Sequence, residues 1–142
     1  MKINSKIRYG LRTLIELALH NDNTGVLQKD IAKNQQLSEK YLDPIISALK
    51  VSGLIINVGG KKSGYILNKL PSEITVYDIY KTFESCPSIT YCLSRPDICE
   101  REKKCSAKEY WMDLNEVIIN HLKTTTLESL TERHKELNPL QP

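Results

Sequence analysis

Several absences narrow what this chain does before any motif is read. No window reaches the roughly 18 uninterrupted apolar residues of a membrane span. The opening Met1-Lys2-Ile3-Asn4-Ser5-Lys6-Ile7-Arg8 carries charge where a secretion signal needs its apolar stretch. The chain is therefore expected in the cytoplasm, with no membrane partner. Thiols stay reduced there, so its four cysteines read as ligands, reactive thiols or small buried hydrophobes rather than as disulfides. Glycine and proline, six of each, are scattered, and no repeat or low-complexity tract occurs, which excludes fibrous and disordered chains. No nucleophile, base and orienting group form a recognisable set, so no catalysis is expected.

What is present suits a folded domain. The 142 residues are 40% apolar and 26% charged, enough for one domain of ordinary size or a small domain with a long helical extension. The net charge of +3 is unevenly spread. Residues 1–70 hold eleven Lys and Arg against five Asp and Glu, whereas residues 71–142 hold nine against twelve. A basic half joined to an acidic half points the first half toward a polyanion.

Periodicity places the elements. Ile7, Leu11, Leu14, Ile15 and Ala18 lie at helical spacing, with Ser5 as the expected N-cap and the run from Asn21 to Gly25 as the stop. A short helix over 28–34 packs inward through Ile31 and Ala32. After a tight connection, Ser38 caps a third helix whose inner stripe is Leu42, Ile45, Ile46 and Leu49. Gly53 sits where a helix end favours positive φ, and Pro44 is expected to loosen the early turns. Two short strands, at 54–58 and 65–67, flank a glycine- and lysine-rich hairpin tip. Thr75 and Asp78 have capping-box spacing before Val76, Ile79, Tyr80 and Phe83. Residues 85–105 show no periodicity and hold all four cysteines. From about Ser106 an amphipathic helix carries Trp111, Leu114, Ile118 and Leu122 on one face, and Thr125 with Glu128 restarts or continues it.

Helix, tight turn, helix and hairpin is the order of a winged helix-turn-helix. The exposed N-terminal end of the third helix, with Ser38, Lys40 and Tyr41, suits entry into a major groove, where helix amides also meet phosphate. Lys61 and Lys62, on a slim glycine-flanked tip, are placed to reach the DNA backbone or minor groove. The cysteines tell a separate story. Cys86, Cys92, Cys99 and Cys105 are separated by five, six and five residues, and none forms the C-x₂₋₄-C pair usual in structural zinc sites. Wider spacing suits a loop around a larger iron-sulfur cluster, with Lys103, Lys104 and Lys108 offsetting thiolate charge. Cys86, followed by Pro87, reads more simply as an ordinary thiol.

Together these residues resemble the IscR, NsrR and CymR family of bacterial winged-helix regulators, many of which carry an iron-sulfur cluster. The likeness runs through Ser5-Lys6-x-Arg8-Tyr9, Asp30-Ile31-Ala32, Ser38-x-x-Tyr41-Leu42 with Leu49, Gly53-Leu54 and Gly64-Tyr65-Ile66-Leu67. A cysteine loop follows, with Trp111 six residues after its last cysteine. The resemblance implies a mainly α fold with a small β-hairpin wing, a winged helix-turn-helix followed by a long C-terminal dimerisation helix. It implies a DNA-binding domain over 1–84, a cluster loop over 85–105, and a dimerisation helix and tail over 106–142. By position, the cluster ligands fall on Cys92, Cys99 and Cys105, for a 2Fe-2S or 4Fe-4S cluster.

The position of the histidine ligand of IscR is Lys108 here, and the helix 1 aspartate of NsrR-like members corresponds to Arg8. The fourth ligand is thus open among Cys86, Asp97, Glu109, a partner subunit, and solvent or a small thiol. The wing arginine of IscR corresponds to Gly59, and its base-reading positions partly to Lys40, Asp43 and Pro44, so the operator sequence stays undetermined. The implied function is a homodimeric transcriptional regulator, a repressor acting on a palindromic double-stranded operator, with Trp111, Leu114, Ile118 and Leu122 as the dimer stripe. Cluster loss would loosen the cysteine loop and change the spacing of the two recognition helices. The alternatives are a cluster-free, thiol- or partner-controlled regulator of the CymR kind, and a small iron-sulfur carrier or protein-interaction module.

Overall fold

The computed structural model describes residues 1–20, 22–59 and 63–139. In chain order they form α1 (Ser5–Leu19), α2 (Gln28–Gln35), α3 (Glu39–Val51), β1 (Ile55–Asn57), β2 (Tyr65–Leu67), α4 (Val76–Phe83), α5 (Tyr91–Ser94), α6 (Lys108–Thr124) and α7 (Leu127–Leu137). Single 3₁₀ turns at Pro71–Glu73 and Pro96–Ile98 interrupt the connections. The fold is mainly helical with a two-stranded antiparallel hairpin, Ile55 opposite Leu67 and Asn57 opposite Tyr65. This is a winged helix-turn-helix, as the order of elements led us to expect.

Its core is where the stripes converge. Leu14 of α1, Ile31 of α2, Leu42 and Ile45 of α3, Ile79 of α4 and Leu127 of α7 are all inaccessible to solvent. Each such side chain removes enough apolar area to contribute about 1.5–3 kcal/mol. Pro44 stays inside α3 without breaking it. It lies on the exposed face, where the carbonyl it leaves unpaired, that of Lys40, is open to water. Gly53 ends the helix at φ +77°, with the Leu54 amide donating back to the Leu49 carbonyl at 3.1 Å.

Two caps differ from expectation. Asn4, not Ser5, caps α1: its Oδ1 accepts from the Ile7 amide at 3.0 Å. Both residue types cap well, but Asn4 also donates to Glu84 at 2.6 Å, an anchor that a serine one residue later does not reach. Thr126, not Thr125, caps α7. The backbone carbonyl of Thr125 accepts from the Val76 amide at 3.0 Å, and the Leu127 amide donates to the Ile74 carbonyl at 2.8 Å. This pairing turns the chain, so α6 and α7 are two helices rather than one continued helix. α6 runs beside α4, and α7 returns to α1.

Two close approaches hold the wing and α4 in place. Val26 pairs with Tyr65 through bonds of 3.0 and 2.9 Å, so the loop before α2 adds a rung to the hairpin. Gly64 permits this, because a Cβ there would lie 2.5 Å from the Val26 nitrogen. On α1, Gly10 admits the Phe83 ring, which a Cβ would meet at 2.5 Å. A buried polar cluster then fixes α1 against α2. The Glu16 carboxylate, 3% exposed, accepts from Asn34 and Gln35 at 2.7 Å each and pairs with His20 at 3.1 Å. Satisfied on both oxygens, it holds the helix-turn-helix angle without an orphaned charge.

Candidate nucleic-acid interface and cysteine segment

The N-terminal end of α3 projects three of the residues singled out from the sequence. Ser38, Lys40 and Tyr41 are all exposed and border one shallow cleft of about 610 Å³ together with Ser5 and Tyr9 of α1. The Ser38 hydroxyl oxygen caps α3 by accepting from the Tyr41 amide at 3.3 Å. Tyr41 is held twice. Its hydroxyl shares a hydrogen bond with Ser5 at 2.8 Å, and its ring meets Tyr9 edge to face at 5.4 Å. The Lys40 ammonium, one residue before, stands on the same exposed turn.

Sequence reasoning missed the supporting residues. Arg8 and Arg12 place their guanidinium groups 5.7 and 5.6 Å from the centre of the Tyr9 ring, within cation-π range. Arg8 is exposed and adds positive charge at Tyr9, whose ring meets Tyr41. Gln28, at the start of α2, donates to the Glu39 carbonyl at 2.9 Å and to the Asp43 carboxylate at 2.6 Å. Asp43 is thereby engaged by a donor at the end of α3 that otherwise faces outward. The helical pattern of α2 marks position 28 only as a first-turn residue, so no local signal announces the bond. Lys61 and Lys62 lie outside the described residues.

The cysteine segment is built differently. Cys86 is exposed, whereas Cys92, Cys99 and Cys105 are half-buried, and all four thiols are free. Residues expected to be aperiodic contain the single-turn helix α5, which carries Cys92, and the 3₁₀ turn that ends at Cys99. The segment is tied to α6 by the Ile89 amide, which donates to Asn115 Oδ1 at 2.9 Å. Tyr80, fully buried in α4, donates its hydroxyl to the Cys86 carbonyl at 3.3 Å. Burial foremost, then the charges of Glu84 and Cys86, pushes the Tyr80 pKa up.

Lys108 pairs with Glu102 at 2.5 Å. That bond raises its pKa, against some desolvation, and the charges of Glu102, Cys92 and Cys105 add to the rise. Of the three lysines expected near the thiols, the structure places Lys108 where it senses two of them. Three thiols within one short loop are the soft donors that iron-sulfur clusters use, and so they fit such a group in kind. Among the described residues no three His, Cys, Asp or Glu side chains converge as a metal-holding set. Only loop backbone and single helical turns separate the three thiols along the chain. Lys108, protonated and paired, offers no lone pair as a fourth ligand.

The face of α6 is open. Leu114, Ile118 and Leu122 are half-buried, and Trp111 is 36% exposed, with its ring edge-on to Tyr110 at 5.0 Å. Tyr110, Met112 and Val117 are more exposed still. Among the described residues no helix is long and apolar enough to cross a membrane.

Comparison with known proteins agrees with this architecture. Residues 3–133 match a family model, Rrf2, described as an iron-dependent transcriptional regulator. The transcriptional regulator IscR of Pectobacterium atrosepticum is 31% identical over 138 residues, 97% of this chain and 84% of that protein. CymR of Bacillus subtilis is 35% identical over 130 residues, 92% of this chain and 89% of the relative. Among solved structures, that of CymR, the global cysteine regulator of B. subtilis, superposes with a TM-score of 0.79 at 34% identity, covering 94% of this chain and 98% of that one. The structure of T. potens IscR superposes with a TM-score of 0.75 at 29% identity, covering 100% of this chain and 94% of the other.

Proposed function

This chain belongs to the Rrf2 family of transcriptional regulators, and on that footing we propose that it is a homodimeric repressor whose hold on a palindromic operator is set by an iron-sulfur cluster on Cys92, Cys99 and Cys105. The observation that carries the DNA-binding part is the outward end of α3, where Lys40 and Tyr41 stand on the exposed first turn and Tyr9, which meets Tyr41, carries Arg8 over its ring. Lys40 and Tyr41 read base edges, and the Ser38 hydroxyl and the Arg8 guanidinium take phosphate. Lys61 and Lys62 of the wing add phosphate neutralisation. Trp111, Leu114, Ile118 and Leu122 of α6, with the exposed apolar residues beside them, form the seam between copies. Two-fold symmetry then places the two α3 ends about 34 Å apart, or a multiple of it, along the duplex.

The donor set supports the regulatory part. When bound, a cluster supplies redox and ligand-exchange chemistry at iron. The chain's own contribution is to draw α5, Cys99 and Cys105 together beside the start of α6, and so to fix the segment that leads into the seam. A second reading, control by thiol chemistry or a partner protein without a cluster, is favoured by Lys108, which stands at the position matching the histidine ligand of IscR and is paired with Glu102. Anaerobic purification separates the two. Brown protein with iron and sulfide, bleached by Ser at Cys92, Cys99 or Cys105 but not by Cys86→Ser, is expected. Colourless protein, unchanged by any of these substitutions after reconstitution with iron and sulfide, overturns the cluster. Absence of sequence-selected binding from a random duplex pool overturns the regulator.

A further inference from the structure

The N-terminus of α1 lies between the two functional regions and is bonded to both. On one side, Asn4 Nδ2 donates to the carboxylate of Glu84 at 2.6 Å. Glu84 is the residue that ends α4, its amide donating to the Tyr80 carbonyl at 2.9 Å, and it leads directly into the cysteine segment. The N-terminal amine adds a second tie, to the carbonyl of Ser88. On the other side, Ser5 shares its hydrogen bond with the hydroxyl of Tyr41 at 2.8 Å. Asn4 also caps α1 through Oδ1, so a single amide group is fixed at both ends, and the next residue has no freedom to shift independently of it. Ser5 contributes little to the core and is not the cap. Its hydroxyl is spent on Tyr41.

We propose that Asn4 and Ser5 are positioning residues for DNA recognition: a strut, anchored on Glu84, that sets the aim of Tyr41 and carries movement of the cysteine segment to it within one protomer. The proposal rests on the reading of α3 as the DNA-reading helix. The physical case is one of rigidity. A tyrosine at a helix end, 40% exposed, samples several rotamers unless its hydroxyl is fixed, and base discrimination depends on a group arriving already oriented. Tyr9 supports the ring edge-on, which restrains its plane, and Ser5 fixes its tip. Displacement of the chain at Glu84 pulls on Asn4, and through one peptide unit on the atom that holds Tyr41. This path runs through hydrogen bonds in a single chain and does not require a change in the spacing of the two subunits.

The test uses the full-length protein and an operator selected by it from a random duplex pool. Affinities for that operator and for random duplex are measured for Ser5→Ala, Tyr41→Phe, Glu84→Ala and Glu84→Gln, with melting temperature alongside. Each of the first three is expected to lower the ratio of operator to random affinity about three- to tenfold, the range one hydrogen bond spans. Glu84→Gln, which keeps an acceptor oxygen, stays close to wild type. Glu84→Ala adds nothing further in a Tyr41→Phe background, because the strut is already broken. Additive effects of Glu84→Ala and Tyr41→Phe overturn the proposal, as does a set of variants that melt lower with the ratio unchanged. Tyr41→Ala separates the two levels. Loss of discrimination there with full retention in Tyr41→Phe and Ser5→Ala overturns the strut alone, whereas full retention in Tyr41→Ala overturns the reading of α3 beneath it.

Discussion

Residues 1–84 with α7 and residues 85–124 are folded on opposite principles. The first group is organised around a dry core in which α1 is covered by α2, α3, α4 and α7. The second group contains no buried residue at all. Its longest helix, α6, spans 17 residues and leaves Val117 64% and Met112 49% exposed. Helices of that length gain most of their stability in proteins from packing an apolar face. The two regions teach that one chain completes the core of the winged helix-turn-helix by itself and leaves residues 85–124 open, the region proposed above for sensing and assembly. A second copy on α6 and a bound group on the thiols, the two completions proposed above, act on different parts of this open region.

The largest expected effect tests that contrast directly. Ile45→Ala, in the fully buried stripe of α3, should cost about 2–5 kcal/mol in chemical denaturation, because the hole it leaves is enclosed on all sides. Val117→Glu on α6 should leave the secondary structure intact by circular dichroism yet convert dimer to monomer in light scattering at micromolar concentration. If Val117→Glu unfolds the protein while Ile45→Ala does not, the contrast between a closed and an open region is reversed.

A smaller effect separates the two parts of the proposed DNA-binding face. Lys40→Ala should narrow the gap between operator and random duplex by about 1–3 kcal/mol, as expected for a base contact. The double change of Lys61 and Lys62 to Ala should weaken both duplexes alike and flatten the salt dependence of log affinity by about one to two units per subunit. A salt titration of both variants decides the matter. The roles of helix and wing are exchanged if Lys40 alters only the slope and the wing pair alters only specificity.

The smallest effect lies at the boundary between the regions. Thr75 accepts from the Asp78 amide at 3.2 Å, and Asp78 accepts from the Thr75 amide at 2.9 Å, closing a box at the start of α4. Thr75→Ala should cost about 1 kcal/mol in denaturation and lower hydrogen-exchange protection in the first turn of α4. It should leave α6 unaffected if the Val76–Thr125 backbone bond alone fixes the turn between α6 and α7. Loss of protection in α6 as well would show that the cap, not the backbone pairing, holds the two regions together.

Much of the first region was legible because its signals are local. The stripe Leu42, Ile45, Ile46 and Leu49, the Ser38 cap, the Thr75–Asp78 box and the positive φ at Gly53 each depend on residues within a turn or two of one another. The Ser38, Lys40 and Tyr41 end followed from the same periodicity, since a helix with one apolar stripe must turn the opposite face outward. The cysteine segment was legible in composition and opaque in shape. Thiols whose bonds are to neighbours two residues away impose no period, and the single turns around Cys92 and Cys99 are too short to leave one.

The sequence by itself determined the order of elements from α1 to α4, the inner faces of α1, α2 and α3, and the residue types available for DNA and for a soft metal. These are set by propensity and spacing along the chain. Tertiary structure alone decided which of two adjacent good caps is used, because Asn4 and not Ser5 reaches Glu84, and Thr126 and not Thr125 is free of the pairing with Val76. It decided that Gly10 and Gly64 are points of close approach, and that Gln28 holds Asp43 and Ser5 holds Tyr41. Each is a contact between residues far apart in the chain, and a side chain carries no local mark of the distant partner that folding brings to it.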